Sequence, residues 1–282
     1  MIRQSVWIGF APLVLMLGLG AGVVADSSAQ LAARWTSGAH RDPGNVDRNT
    51  YRHPSETLEF FGLEPTMTVV EIWPSRGWYT EILAPFFRAD GKYYAAGFAL
   101  TAKRTPEWRK KMQRDFQKKL DARPNLYDRV VVTELSIPER AQIAPPGTVN
   151  MVLTFRNVHN WMKGDYAPQM FDAMYEALEP GGVLGVVEHR AKPGTSLEKM
   201  IESGYVTEAE VKKLAKQAGF RFAAASEVNA NSKDTADHPM GVWTLPPTLR
   251  LGDKDREKYI AIGESDRMTL KFIKPKRRRG DK

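Results

Sequence analysis

Five residues in one short stretch carry much of the polar chemistry a site needs. Arg156, Asn157, His159, Asn160 and Trp161 follow directly on MVLTF (151–155), an apolar run that reads as a buried strand. A cation, two amides, an imidazole and an indole at a strand end can orient a polar substrate, and His159 offers a proton acceptor near neutral pH. A charge at the end of a buried strand must be paired or must face a cleft. Arg156 and Asn157 therefore mark either a site or a buried ion pair, with Glu71 and Glu188 as the available acids. His159 with Trp161 also suits a core pair that steadies the loop.

A second stretch, VVEIWPSRGWYTEILAPFF (69–87), passes from a buried-strand pattern to a helical one across a tight polar turn. Val69, Val70 and Ile72 form the β run, Pro74, Ser75 and Gly77 supply turn chemistry, and Tyr79, Ile82, Leu83 and Phe86 recur at helical spacing. A strand feeding a helix leaves free backbone N–H groups that cradle the polar part of a ligand.

Other chemistries are disfavoured by what the chain lacks. There is no cysteine, and His40, His53, His159, His189 and His238 are scattered, so no metal site is expected; His238 with Asp234 and Asp237 is the nearest thing to a cluster. Neither a GxSxG nucleophile elbow nor a phosphate-binding GK[ST] loop occurs.

The elements that must position these residues alternate. Helix Ser55–Phe61 precedes strand Thr68–Trp73, helix Trp78–Arg88, strand Lys92–Phe98, helix Pro106–Ala122 and strand Arg129–Leu135. Strand Val149–Phe155, helix Tyr166–Leu178, strand Val183–His189, a helix capped by Thr207 and ended at Gly219, strand Arg221–Glu227 and strand Met268–Ile273 complete the series. Parallel neighbours need crossover connections, so this order predicts an α/β fold, a doubly wound, mostly parallel seven-stranded sheet with helices on both faces. Its crevice lies beyond the carboxyl ends of the strands, where strand order reverses. The Pro/Gly-rich segment Asn229–Leu251 is too long for a plain connector and is expected to fold over the site.

The 282 residues, 42% of them hydrophobic, suffice for one sizeable domain. Residues 1–25, with Arg3 before an almost unbroken apolar run from Val6 to Val24 and small residues after it, read as a cleaved signal peptide or an uncleaved anchor, which puts the body in the periplasm or outside the cell. Residues 26–52 read as an irregular leader, 53–275 as the α/β domain and 276–282 as a basic tail. Of the net +8, the segment Lys271–Lys282 accounts for +6 and Arg3 for +1, so the body is close to neutral and no specific nucleic-acid partner is implied. Contact with a membrane surface through the amino-terminal segment or the tail stays open. The basic residues of helix Pro106–Ala122 suit a solvated face held down by Trp108, Met112, Phe116 and Leu120.

From Tyr51 to Pro275, by element order and by the stretches VVEIWPSRGWYTEIL, LTFRNVHNWM (153–162) and LEPGGVLGVVEHRA (178–191), the chain resembles the class I S-adenosylmethionine-dependent methyltransferases, and within them an exported bacterial group. The resemblance implies transfer of a methyl group from S-adenosylmethionine to a small-molecule or envelope acceptor. It puts the cofactor at Glu71, Trp73, Ser75, Gly77 and Tyr79, where the family pattern ExGxGxG keeps one glycine of three. It aligns Gly97 with the family's ribose-binding acid, with Glu134 as a nearby carboxylate, and makes Arg156, Asn157 and His159 the catalytic group. The family's glycines admit close backbone approach to the cofactor, so Trp73 and Ser75 imply a shifted path or a differently shaped pocket. The other reading is an exported binding or scaffold protein that keeps the fold without the reaction.

Overall fold

The computed structural model describes residues 33–276. Residues 1–25, expected to be a signal peptide or anchor, and most of the basic tail lie outside the described residues. Among the described residues no helix is long and apolar enough to cross a membrane.

Strand β1 (Thr68–Ile72) lies inside the sheet, and its β-branched residues are buried on both faces. It pairs in parallel with β2 (Lys92–Phe98) through Ile72 and Ala96, and with β4 (Val149–Phe155) through Ile72 and Thr154. Strand β3 (Val131–Leu135) lies outside β2, and β5 (Leu178–His189), β7 (Arg267–Ile273) and β6 (Arg221–Ser226) follow β4, giving the order β3-β2-β1-β4-β5-β7-β6. Only β7 runs antiparallel to its neighbours. The expected mostly parallel, seven-stranded α/β sheet is what forms. The chain works outward from β1 to β3 and then returns to β4, so order reverses between β1 and β4.

Alternation along the strands feeds two hydrophobic layers. Val70, Tyr94, Ala96 and Val152 point into one, and Val69, Tyr93, Ala95, Met151 and Leu153 into the other. The second layer is closed by α4 (Thr80–Phe87), whose Ile82, Leu83 and Phe87 are each at most 1% exposed and contribute about 1.5–3 kcal/mol apiece. α5 (Glu107–Asp121) covers it further with Phe116 and Leu120, followed by the short α6 (Pro124–Tyr127). The first layer is closed by α7 (Val158–Lys163), α8 (Ala167–Ala177) and α10 (Glu208–Gln217). The Thr207 Oγ1 accepts from the Glu210 N–H at 3.2 Å, the cap predicted from sequence.

Several elements differ from expectation. α6, α7, α9 (Leu197–Ser203) and α11 (Arg256–Ile262) have at most seven residues each, too few for a helical period to stand out. After α8, the chain extends at once into β5, with only Gly181 at positive φ (+95°). The leader is more regular than expected: Asp42 caps α1 (Pro43–Val46), and α2 (Asn49–Arg52) leads into α3 (Pro54–Phe61). It docks through α4, where Pro85 lacks the N–H that would meet the Glu81 carbonyl, and His40 Nε2 hydrogen-bonds that oxygen at 2.8 Å. The Arg41 and Arg52 guanidiniums each lie 4.6 Å from the Trp78 ring.

Candidate active site

The turn after β1 keeps a left-handed backbone at alternate residues: Trp73 at φ +47°, Ser75 at +57° and Gly77 at +75°. These are the positions of the ExGxGxG glycines. All three take the left-handed backbone although two of them carry side chains, at a cost of about 1–2 kcal/mol each. Arg156, directly after β4, is also left-handed at +59°. Three of the non-glycine residues with positive φ therefore stand at the carboxyl ends of β1 and β4, where the sheet reverses order. Strain gathered at a strand end is a signature of a functional site.

A cavity of about 530 Å³ opens there, within the ~300–1,000 Å³ usual for small-molecule sites. Glu71, Trp73, Ser75 and Tyr79 line one wall, and Arg156, His159 and His189 another. Arg48 and Arg52 of the leader, and residues 242–248 of the long segment before β7, complete it. The segment expected to fold over the site thus supplies Val242, Trp243, Pro246, Pro247 and Thr248, and the leader is part of the wall.

Glu71 is buried, and its Oε2 accepts from Tyr93 Oη at 2.5 Å and Thr80 Oγ1 at 3.2 Å. Burial raises its carboxyl to about 7 in spite of those bonds. Tyr79 stacks on Phe155 with ring centroids 3.6 Å apart, and burial raises its phenol to about 12. The Trp73 indole is only 5% exposed, donates to the Leu135 carbonyl at 3.1 Å and packs against Phe98, Trp161 and Tyr166. Arg109 lies 4.5 Å from its ring. The indole separates the main cavity from a second of about 330 Å³ above β2 and β3.

Two residues named from the resemblance lie elsewhere. Gly97 lies under α5, where a Cβ would come within 2.1 Å of Gln113 Oε1, an oxygen that accepts the Phe98 N–H. Glu134 is half-exposed on β3, bound to the Leu100 N–H at 3.0 Å and facing Arg140 at 3.6 Å. Neither lines the main cavity. Gly77 sits in the corner itself, where a Cβ would crowd Phe116.

After β4, Asn157 Nδ2 donates to the Ile72 carbonyl at 3.0 Å and Thr154 Oγ1 at 3.2 Å, fastening the ends of β1 and β4 together. Glu188, fully buried at the end of β5, accepts the Val158 N–H at 2.6 Å and the His159 N–H at 3.3 Å, which caps α7. Its other oxygen takes His159 Nδ1 at 3.0 Å and the His189 N–H at 2.8 Å. His159 Nε2 meets the Asn160 amide at 2.9 Å, so both nitrogens of this buried ring are held. Glu188 therefore serves His159 rather than Arg156. His159, Glu188 and His189 bring candidate ligand atoms within 4.8 Å of one another, but four hydrogen bonds already account for the carboxylate. Asp234 and His238 pair at 2.8 Å, and Asp234 also receives Tyr205 Oη and the Ala236 and Asp266 N–H groups.

His189 was not singled out from sequence. Its Nδ1 lies 2.5 Å from Ser265 Oγ, and its ring is 5.4 Å from that of His159. Burial, then His159 and the nearby arginines, hold it well below the usual imidazole range, so it stays neutral. Arg156 pairs with Glu264 at 3.9 Å rather than with Glu71 or Glu188, and burial lowers its guanidinium to about 10. Glu264 also receives Arg48 at 2.6 Å, Arg52 at 3.1 Å and Arg267 at 3.0 Å; outweighing burial, they bring its carboxyl down to about 2.

No protein-family model matches the chain, and a search of the curated proteins finds no match. Solved structures share its fold. A SAM-dependent methyltransferase from Aquifex aeolicus is 16% identical, with a TM-score of 0.53 over 88% of this chain and 99% of its own. Phosphoethanolamine N-methyltransferase 2 from Haemonchus contortus, in complex with S-adenosyl-L-methionine, is 15% identical with a TM-score of 0.55 over 89% of this chain and 58% of its own. The [4+2]-cyclase SpnF is 14% identical, with a TM-score of 0.55 over 90% of this chain and 98% of its own. The architecture is thus the Rossmann-like fold of these proteins, and the reaction has to be argued from the site.

Proposed function

We propose that this chain is an S-adenosylmethionine-dependent methyltransferase acting on a small-molecule acceptor held in the 530 Å³ cavity. One observation carries the reading: residues 73, 75 and 77 keep the left-handed backbone of a glycine-rich cofactor corner even where glycine is absent, beside a buried acid on β1. Similarity to structures solved with this cofactor supports it. The apolar run from Val6 to Val24 supports an exported location.

The residues fit the cofactor's amino-acid end well. The corner brings backbone close to a ligand, and Glu71 Oε1, which has no protein hydrogen-bond partner among the described residues, offers an acceptor to an ammonium. Trp73 would stand beside the nucleoside end, and Met112 and Arg76, which also line the cavity, would be its other neighbours. When bound, the cofactor supplies an electrophilic methyl group on a sulfonium. The chain's part is then alignment, because in-line displacement gains most from holding the acceptor at near-contact distance. Asn157 fixes the two strand ends, Trp243 and Pro246–Thr248 wall the cavity, and neutral His189 offers the acceptor a hydrogen-bonding imidazole rather than a strong base. His159, held on both nitrogens, positions that wall.

Calorimetric titration of the chain lacking residues 1–25 with S-adenosylhomocysteine tests the reading. Saturable binding with a rise in Tm is expected; neither heat nor thermal shift at millimolar ligand would refute it.

A further inference from the structure

The arginines on the cavity wall outnumber the acids available to them. Arg48, Arg52, Arg156 and Arg267 converge on the single carboxylate of Glu264, leaving three positive charges unbalanced. Arg267 is turned away, with Nη2 on the Tyr51 carbonyl, but Arg48, Arg52 and Arg156 all line the cavity, joined by Arg76. Glu71, the other acid on the wall, is held protonated up to about 7 by burial and adds little negative charge below that. Arg52 is only 3% exposed, yet its Nη1 has no hydrogen-bond partner. A buried guanidinium N–H without an acceptor is costly, and so are like charges crowded together in a region of low dielectric. Arg156 is held there on a left-handed backbone as well. An anion in the cavity would relieve the crowding of these charges.

The cofactor does not supply such an anion. Its amino-acid end is zwitterionic, one carboxylate with one ammonium, and would leave the excess almost untouched. We infer that the acceptor carries a multiply charged oxyanion, a phosphate monoester by preference, bound by Arg48, Arg52 and Arg156 at the end of the cavity bounded by Glu264. The inference rests on reading this cavity as the acceptor site of a methyltransferase.

Inorganic phosphate is the probe, titrated into the chain lacking residues 1–25 at constant ionic strength with chloride as control, with and without saturating S-adenosylhomocysteine. Phosphate binding is expected, weakened about tenfold or more by Arg48→Gln and by Arg156→Gln, each removing a charge-assisted donor. Glu264→Gln should tighten phosphate binding, because it removes the competing carboxylate; a purely structural cluster would show only lost stability. Phosphate that binds no better than chloride, or an affinity unmoved by Glu264→Gln, overturns the inference. Competition between phosphate and S-adenosylhomocysteine also overturns it, because the arginines would then serve the cofactor's carboxylate. Homocysteine-ligand binding without phosphate binding sinks the anion site alone. Phosphate binding without the homocysteine ligand sinks the methyl-transfer reading and leaves the anion site standing.

Discussion

Glu71 is the residue whose ionisation the account depends on most. Its folded carboxyl is raised from 4.5 to about 7, so the ligand-free protein loses stability as pH rises from about 4.5 through 7 and the buried group must ionise. A bound cation favours the ionised form, so affinity for S-adenosylmethionine should rise with pH through about 7, and Glu71→Gln should flatten that profile in calorimetry. His189 has the opposite sign. Its folded value lies below 6.5, unfolding takes up a proton, and stability should fall as pH drops below about 6.5; chemical denaturation of His189→Gln should show less of this decline. Trp73→Ala should cost about 3–5 kcal/mol of stability and weaken S-adenosylhomocysteine, because the indole is both core and cavity wall. Tighter binding in that variant would mark the indole as a plug instead. Sequence showed where Glu71, Trp73 and Ser75 stand, because the β-to-helix switch around them is local. It could not show that the backbone there stays left-handed, since that is imposed by the strands on either side.

At the scale of elements, α7 is short and rests on a cap from another strand. Glu188→Gln removes a charge that accepts two N–H groups of α7 and fixes His159, and each donor left unsatisfied costs about 1–3 kcal/mol. A fall in Tm with faster amide exchange confined to residues 157–164 is expected; exchange that spreads evenly through the sheet would contradict the cap. The RNVHNW stretch was legible as a polar cluster at a strand end, but not as a helix, because six residues carry too little periodicity. Its partner Glu188 lies 29 residues from His159 and is brought near only by the pairing of β4 with β5. The long strands and helices were legible because their apolar periods are strong. His189 and Glu264 were not, because their roles come from β5 and β7 lying side by side.

At the scale of the whole molecule, the cavity is walled by the leader, the ends of β1, β4 and β5, and the segment before β7. Sequence order separates these parts widely, so the doubly wound sheet could be foreseen and the convergence of Arg48, Arg52 and Arg156 on Glu264 could not. The most direct test of the central claim is a crystal structure of the chain lacking residues 1–25 grown with S-adenosylhomocysteine. The account predicts ligand density in the cavity between Glu71 and Tyr79, with the Trp73 indole still on the Leu135 carbonyl. An empty cavity at saturating ligand, or ligand seated beyond a displaced indole above β2 and β3, would contradict it.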